Sequence, residues 1–515
     1  MFRQSAVPLA LLATAGLLVA GCGGPASSAS RDTLSMSLNT DPATFDPALA
    51  KGGDDYTVGR LLFDTVVRKD EGNTLAGGIA KEWKAIDASN YRFTIRDGLK
   101  CSDGSAITPS VVAASLARFA AKDTGSSGRT LAMGSATATF TPDDKTGTVT
   151  AKLSKPWSDF LTGLTLPQAG IVCPAGLSDL KGLAAGTVKG AFSGPYALTS
   201  SQAAVSYQLT LRDDYDAWPT FAKPLAGKPA KQLNLMPITD PATIATQLLS
   251  GSLDVGGVND QNVVRFADNS KFTSRTSANT TTYLLFNERP GTVFADRPDL
   301  RTAVAQAIDA QAFSDIISGK RGTTIATVGS DKVACVNTDR KALVAGNAAA
   351  AKAKLAGLKF RVVGTTLLRG GNDYIGEALR KAGANVTVSS LDNANWATVT
   401  AAGGKDWDVN VQGDNNQLGT LTSSLLRVMG PATEDGGRNK MGVVNDVGYG
   451  YVQKAMSEVD RSAQCAALQG AQKSFLQRVD AIPLAVLPTT IITASGVGIR
   501  QFDDYVDPAT VRIDG

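Results

Sequence analysis

Histidine is absent from this chain. Without an imidazole there is no Ser-His-Asp or Cys-His catalysis and no histidine-ligated metal, which removes most familiar hydrolase mechanisms. No C-x-x-C spacing occurs, so a cysteine zinc site is not expected either. The 51 Lys and Arg are interspersed with 47 Asp and Glu, for a net charge of +4, and no basic block offers a nucleic-acid footprint. Beyond the first twenty or so residues no apolar run approaches membrane-spanning length, so the rest of the chain is expected to be soluble.

What is present begins at the N-terminus. Arg3 stands in a short polar start, residues 6–20 are almost wholly apolar, and Val19-Ala20-Gly21-Cys22 closes the run. The stretch is short for a bilayer and ends in the small residues of a cleavage site. A cysteine directly after that site resembles a bacterial lipobox. The resemblance implies acylation of Cys22, removal of the leader, and an exported chain tethered to the outer face of the cell membrane by lipid alone. An ordinary signal peptide followed by a chance cysteine is the alternative. Residues 23–30 are small and polar, a flexible tether. Cys101, Cys173, Cys335 and Cys465 then form an even set, which in an exported protein favours disulfides with three possible pairings.

At 515 residues, 43% of them hydrophobic, the chain is expected to fold as two or three globular domains. Leu34, Met36 and Leu38 alternate with polar residues as a strand, as do Tyr91, Phe93 and Ile95, and Val205 to Leu211. Leu253 to Val255 reads as another. Helices are predicted over 56–67, 241–249, 299–317, 348–358 and 462–479. Mixed strands and helices without a fixed repeat indicate an α/β protein of more than one lobe.

Several segments, in order, resemble the peptide/nickel-type (family 5) extracellular solute-binding proteins. They are Asp41 to Pro47, Phe63-Asp64-Thr65-Val66-Val67, Gly78-Ile79-Ala80 with Trp83, Tyr91 to Gly98 with Ser102-Asp103-Gly104, Gly194-Pro195-Tyr196, and Tyr215 to Trp218. Ser250-Gly251 with Leu253-Asp254-Val255, Phe286-Asn287, and Leu300-Arg301 through Asp309 complete the series. The resemblance implies a bilobal fold of the periplasmic-binding-protein type II class, two lobes joined by a hinge. Lobe I would comprise 32–58, 192–283 and 486–515, with an extra subdomain at 59–191, and lobe II would be 284–485. Pairing Cys101 with Cys173 and Cys335 with Cys465 keeps each disulfide inside one such unit. The implied work is capture of a small molecule or peptide by lobe closure and delivery to ABC permease and ATPase subunits. The protein would act as a monomer, without cofactor, metal, nucleic acid or enzymatic activity.

The resemblance also nominates ligand contacts. Lys51, Gly52 and Gly53 fall where relatives pair backbone with an extended ligand, although a plain surface loop is the other reading. Trp396 matches a tryptophan near the pocket or else packs a helix. Arg369 sits where dipeptide-binding relatives hold the ligand carboxylate, a task suited to a guanidinium fork. In Gly413-Asp414-Asn415-Asn416-Gln417, either Asp414 serves as the anchor for a ligand amine or the neutral amide of Gln417 stands there. Asn415 and Asn416 suggest a polar wall or a turn. Two rival readings stand beside this one. Ser178-x-x-Lys181 with Lys145-Thr146-Gly147 mimics penicillin-recognising enzymes in reversed order, and an envelope lipoprotein without a transport role would show the same export signals. Non-peptide solutes (metal complexes, siderophores, sugars) are a further alternative.

Overall fold

The computed structural model describes residues 32–514 except 402, 403, 405 and 417, so Cys22 and Gln417 lie outside the described residues. One ten-stranded mixed sheet runs through the molecule. From edge to edge its strands are Asn385–Leu391, Lys359–Thr365, Val409–Asn415, Phe272–Phe286, Ala481–Ala494, Val255–Val258, Thr33–Leu38, Gln232–Pro237, Ser206–Leu211 and Tyr196–Gln202. Phe272–Phe286 and Ala481–Ala494 are its two long members and pair antiparallel, Phe272 opposite Ala494 and Leu285 opposite Ala481. At one end the second of them pairs with Val255–Val258; at the other the first pairs with Val409–Asn415. These two strands therefore carry the sheet from one half to the other. Their register slips between Ser277 and Thr280 and again between Thr282 and Tyr283, the bulged geometry that lets a strand bend.

Each half has its own apolar core. Leu34, Met36, Leu38, Tyr207, Leu209, Leu233 and Leu235 centre one, and Leu284, Phe286, Phe294, Phe360, Val362, Val409 and Val411 the other. A separate four-stranded antiparallel sheet is built from Ala80–Ala85, Asn90–Ile95, Thr148–Leu153 and Ala138–Asp143. Its inner face buries Tyr91, Phe93 and Ile95 while Arg92 stays exposed, the period-two pattern of a half-covered strand. The helix Pro109–Ala120 covers that sheet; Thr108 caps it and Pro109 occupies its first turn. Cys101 bonds Cys173 (S–S 2.01 Å) and Cys335 bonds Cys465 (1.98 Å).

Three predicted elements need correction. The helix expected over 56–67 is Gly53–Leu62. It starts early because the Asp55 carboxylate accepts the N–H groups of Lys51 (2.9 Å) and Gly52 (3.3 Å). It stops early because the β-branched run Thr65-Val66-Val67 favours extended backbone, and Val67–Lys69 pairs with Leu75–Gly77 as a strand. The single helix expected over 299–317 is two, Pro298–Ala307 and Ala310–Ser318. Asp309 breaks it by accepting from the N–H groups of Gln311 and Ala312 at 2.8 and 3.1 Å, which starts a new helix. The strand near 253–255 is Val255–Val258, since the Asp254 side chain instead accepts the Ser35 N–H at 2.8 Å.

The family-like segment Asp41 to Pro47 has a structural task. Phe45 packs on Tyr207 with ring centroids 5.7 Å apart. Asp46 caps the short turn Pro47–Leu49 and pairs with Arg118, whose Nη1 donates at 3.0 Å.

Under the second core, Arg301 lies between two buried carboxylates, Glu288 at 2.9 Å and Asp480 at 3.5 Å. Asp480 has Arg478 and the Asn445 amide as further partners, whereas Glu288 Oε1 is buried without one. Burial, then the nearby Asp480 charge, push the Glu288 carboxyl up to about 8. From its ordinary value near 4.5 up to that point, the folded chain holds a proton that the unfolded chain has released. Stability is therefore expected to fall as pH rises through this window, by at most about 1.4 kcal/mol per pH unit for this group. Glu288→Gln should flatten the slope and raise the urea midpoint above that of the wild type at pH 8.5. Parallel wild-type and variant curves would refute the assignment.

Candidate functional site

The two halves meet across an interface bridged by specific contacts. Lys69 Nζ donates to the Leu418 carbonyl at 3.2 Å, and Thr130 Oγ1 to the Gly436 carbonyl at 3.3 Å. Ser158 N–H reaches the Met456 carbonyl at 2.8 Å, while Gln464 Nε2 reaches Ser158 Oγ at 2.9 Å. Leu131, Leu166 and Leu418 close one stretch with a small apolar cluster.

On one wall, the first turn of Gly53–Leu62 carries Tyr56. Its phenol interacts with Ser127, whose hydroxyl also donates to the Ala50 carbonyl at 3.2 Å. Burial raises the Tyr56 phenol, and Arg438 and Arg427 on the opposite wall pull it back. On that wall the strand Val409–Asn415 supplies Asp414, which is fully buried. One of its oxygens accepts Arg427 Nε at 2.6 Å and the other the Tyr283 hydroxyl at 3.1 Å.

Arg438 stands on the loop after the turn Thr433–Asp435. That loop is fixed by Asn439, whose amide donates to the carbonyls of Gly430 (3.0 Å) and Val443 (2.7 Å). Arg438 Nη1 makes two long contacts with Ser423, 3.3 Å to its carbonyl and 3.4 Å to its hydroxyl. Burial, followed by repulsion from Arg427, pulls its pKa down to about 10. Lys440 Nζ donates to Thr400 Oγ1 at 2.6 Å and lies 3.2 Å from the centroid of the Trp396 ring. Burial, then Arg427 and Arg438, hold its pKa well below the ordinary lysine value.

The nominated residues divide between those in this cluster and those outside it. Asp414 and Trp396 belong to it, the latter held by its Nε1 donating to Asn410 Oδ1 at 2.8 Å. Gly413 is half-buried beside Leu368. Asn416 is buried and organises a turn, its amide donating to the Thr420 carbonyl at 2.8 Å and its oxygen accepting the Gly419 N–H at 3.0 Å; Asn415 is exposed. The N–H groups of Lys51 and Gly52 already serve Asp55, and the Gly52 carbonyl accepts from Tyr56 N–H at 3.0 Å. Arg369, with a positive φ of 52°, sends Nη2 across to the Asn259 side chain. Of the enzyme-like motifs, Lys145-Thr146-Gly147 is the turn between two strands, and the Ser178 hydroxyl is bound to the Ala175 carbonyl at 2.8 Å.

Sequence reasoning missed Tyr56, Tyr283, Arg427, Arg438 and Lys440. One signal was available: Arg427 interrupts the apolar run Leu425-Leu426-Arg427-Val428-Met429, and a cation on a buried helix demands a partner. No group of three or more His, Cys, Asp or Glu among the described residues is placed to hold a metal ion. Among them, too, no helix is long and apolar enough to cross a membrane.

Residues 74–427 match the family model for bacterial extracellular solute-binding proteins, family 5 middle. The probable D,D-dipeptide-binding periplasmic protein DdpA of Escherichia coli is 28% identical over 311 residues, 56% of this chain and 55% of that one, so the alignment spans about half of that relative. A crystal structure of a substrate binding protein from Microbacterium hydrocarbonoxydans, complexed with 4-hydroxybenzoate hydrazide, superposes with a TM-score of 0.86 at 37% identity, covering 94% of this chain and 100% of that one. The periplasmic binding protein DppA of Helicobacter pylori, in complex with the peptide STSA, shares the fold with a TM-score of 0.81 at 18% identity, covering 94% and 98% of the two chains.

Proposed function

The chain belongs to family 5 of the bacterial extracellular solute-binding proteins, the binding components of ABC importers rather than enzymes, and from that membership we propose that it captures a peptide or peptide-like solute between its halves. The captured solute is handed to a membrane permease, and Cys22 carries the lipid that keeps the receptor at the membrane. The observation that carries the reading is the pair of long strands running between the two halves, with Tyr56 on one side within electrostatic reach of Arg427 and Arg438 on the other. Contacts made from both walls at once favour the closed form over the open one. The amide-like hydrazide bound by the Microbacterium protein supports a peptide-like class wider than peptides proper.

Small-angle scattering tests this. Protein stripped of solute by reversible unfolding should show a larger radius of gyration than protein as purified, and return to the smaller value when the released solute is restored. Superimposable curves in the two states, or a solute that emerges cleaved, would refute it.

A further inference from the structure

The described side chains acting on Arg438 and Lys440 include two arginines and one carboxylate. Arg427, Arg438 and Lys440 act on one another, and the carboxylate acting on Lys440 is Asp414. Asp414 is already committed, one oxygen to Arg427 and the other to Tyr283. Its charge is thus neutralised from within the protein, which weakens it as an anchor for a ligand ammonium.

Arg438 is in the opposite condition. Among the described residues only its Nη1 finds an acceptor, at 3.3 and 3.4 Å on a single neutral serine, and no described carboxylate pairs with it. Its half-buried Nε and Nη2 edge is therefore left open to an acceptor supplied from outside the chain. Lys440 likewise spends one hydrogen bond on Thr400 and has no described carboxylate in contact. The loop holding both is rigid, pinned by Asn439, so the donors are presented in place before any solute arrives.

Resting on the receptor reading above, we infer that Arg438, seconded by Lys440, is the subsite for a carboxylate of the solute, so that this receptor selects its ligand by an acidic group and not by an amine. A guanidinium edge receives a planar carboxylate in two parallel hydrogen bonds, and enclosure between the halves strengthens them. The Tyr56 phenol suits a solute whose acid is attached to an apolar or amide-bearing body.

The test is native mass spectrometry of the full chain purified from its own organism, followed by release of the solute and methyl esterification. The solute should carry at least one carboxylate, seen as an esterification shift. Arg438→Gln should co-purify with less than a tenth of the wild-type occupancy, while Arg438→Lys keeps an intermediate share. Lys440→Gln, away from the guanidinium, should lose occupancy several-fold, which covers the case in which Arg438→Gln does not fold. A wild-type protein loaded with a solute that has no carboxylate overturns this inference and leaves the receptor reading intact. Full occupancy in both Gln variants does the same. A wild-type protein carrying no solute at all overturns both.

Discussion

Replacing Arg68 by alanine is expected to lower the unfolding free energy by about 3–5 kcal/mol, a large share of what a protein this size has to lose. Arg68 is almost wholly buried, and it lies between two carboxylates, Asp64 at 2.8 Å and Asp507 at 2.5 Å. Asp64 also accepts the Tyr215 hydroxyl at 2.5 Å, and Asp507 accepts the Ala509 N–H at 3.0 Å. Three segments far apart in the chain, including the last strand Tyr505–Ile513, are thus tied at one point. Burial would pull the Arg68 pKa down, but Asp507 and Asp64 outweigh it and hold the guanidinium charged. Burial raises the Asp64 carboxyl despite its partners, so this acid depends on the cation to stay ionised. Without Arg68 two buried carboxylates face each other, and one must take up a proton or drag water inward. The urea midpoint should drop accordingly. Asp64→Asn, Arg68→Met and Asp507→Asn combined should recover most of the loss, because what costs is the unpaired charge and not the missing pair. A midpoint for Arg68→Ala within about 1 kcal/mol of the wild type would contradict this account.

The readable parts of the sequence were those whose causes are local. Alternating Leu34, Met36 and Leu38 had to be a strand with one face in a core, and that is where they lie. The ordered motifs such as Asp41 to Pro47 carried the family because they do structural work, as Asp46 does in holding Arg118. Where local signals competed, the reading failed. The apolar spacing of 299–317 is helical throughout, and only the capping chemistry of Asp309 divides it. Thr65, Val66 and Val67 continue the apolar pattern of the preceding helix, yet branched side chains favour extended backbone, and a strand starts at Val67. The site was the least legible. Tyr56, Tyr283, Asp414 and Arg427 come from four separate elements and Arg438 and Lys440 from one further loop, and no spacing relates these elements to one another. Asp414 shows the limit well. As a letter in a motif it resembles a ligand anchor, and its commitment to Arg427 and Tyr283 is visible only in three dimensions.

That commitment leads to the second large effect, on Asp414→Ala. If Asp414 were free to anchor a ligand amine, its removal would empty the site and leave the unliganded protein nearly unaffected. The geometry gives the reverse expectation. Asp414 is the buried partner of Arg427, and removing it leaves Arg427, Arg438 and Lys440 crowded without an internal counter-charge, with the Tyr283 hydroxyl deprived of its acceptor. Breaking a buried pair in this way costs about 3–5 kcal/mol, and an orphaned buried hydroxyl about 1–3 kcal/mol on a scale that overlaps with it. The solute-free variant should therefore unfold at a much lower urea concentration than the wild type. Adding Arg427→Met to Asp414→Ala should restore the midpoint to within about 1 kcal/mol, since an apolar side chain of similar length replaces the stranded cation. Because Arg438 is untouched, the double variant should still retain a carboxylate solute. A single variant as stable as the wild type but empty would return Asp414 to the role of amine anchor.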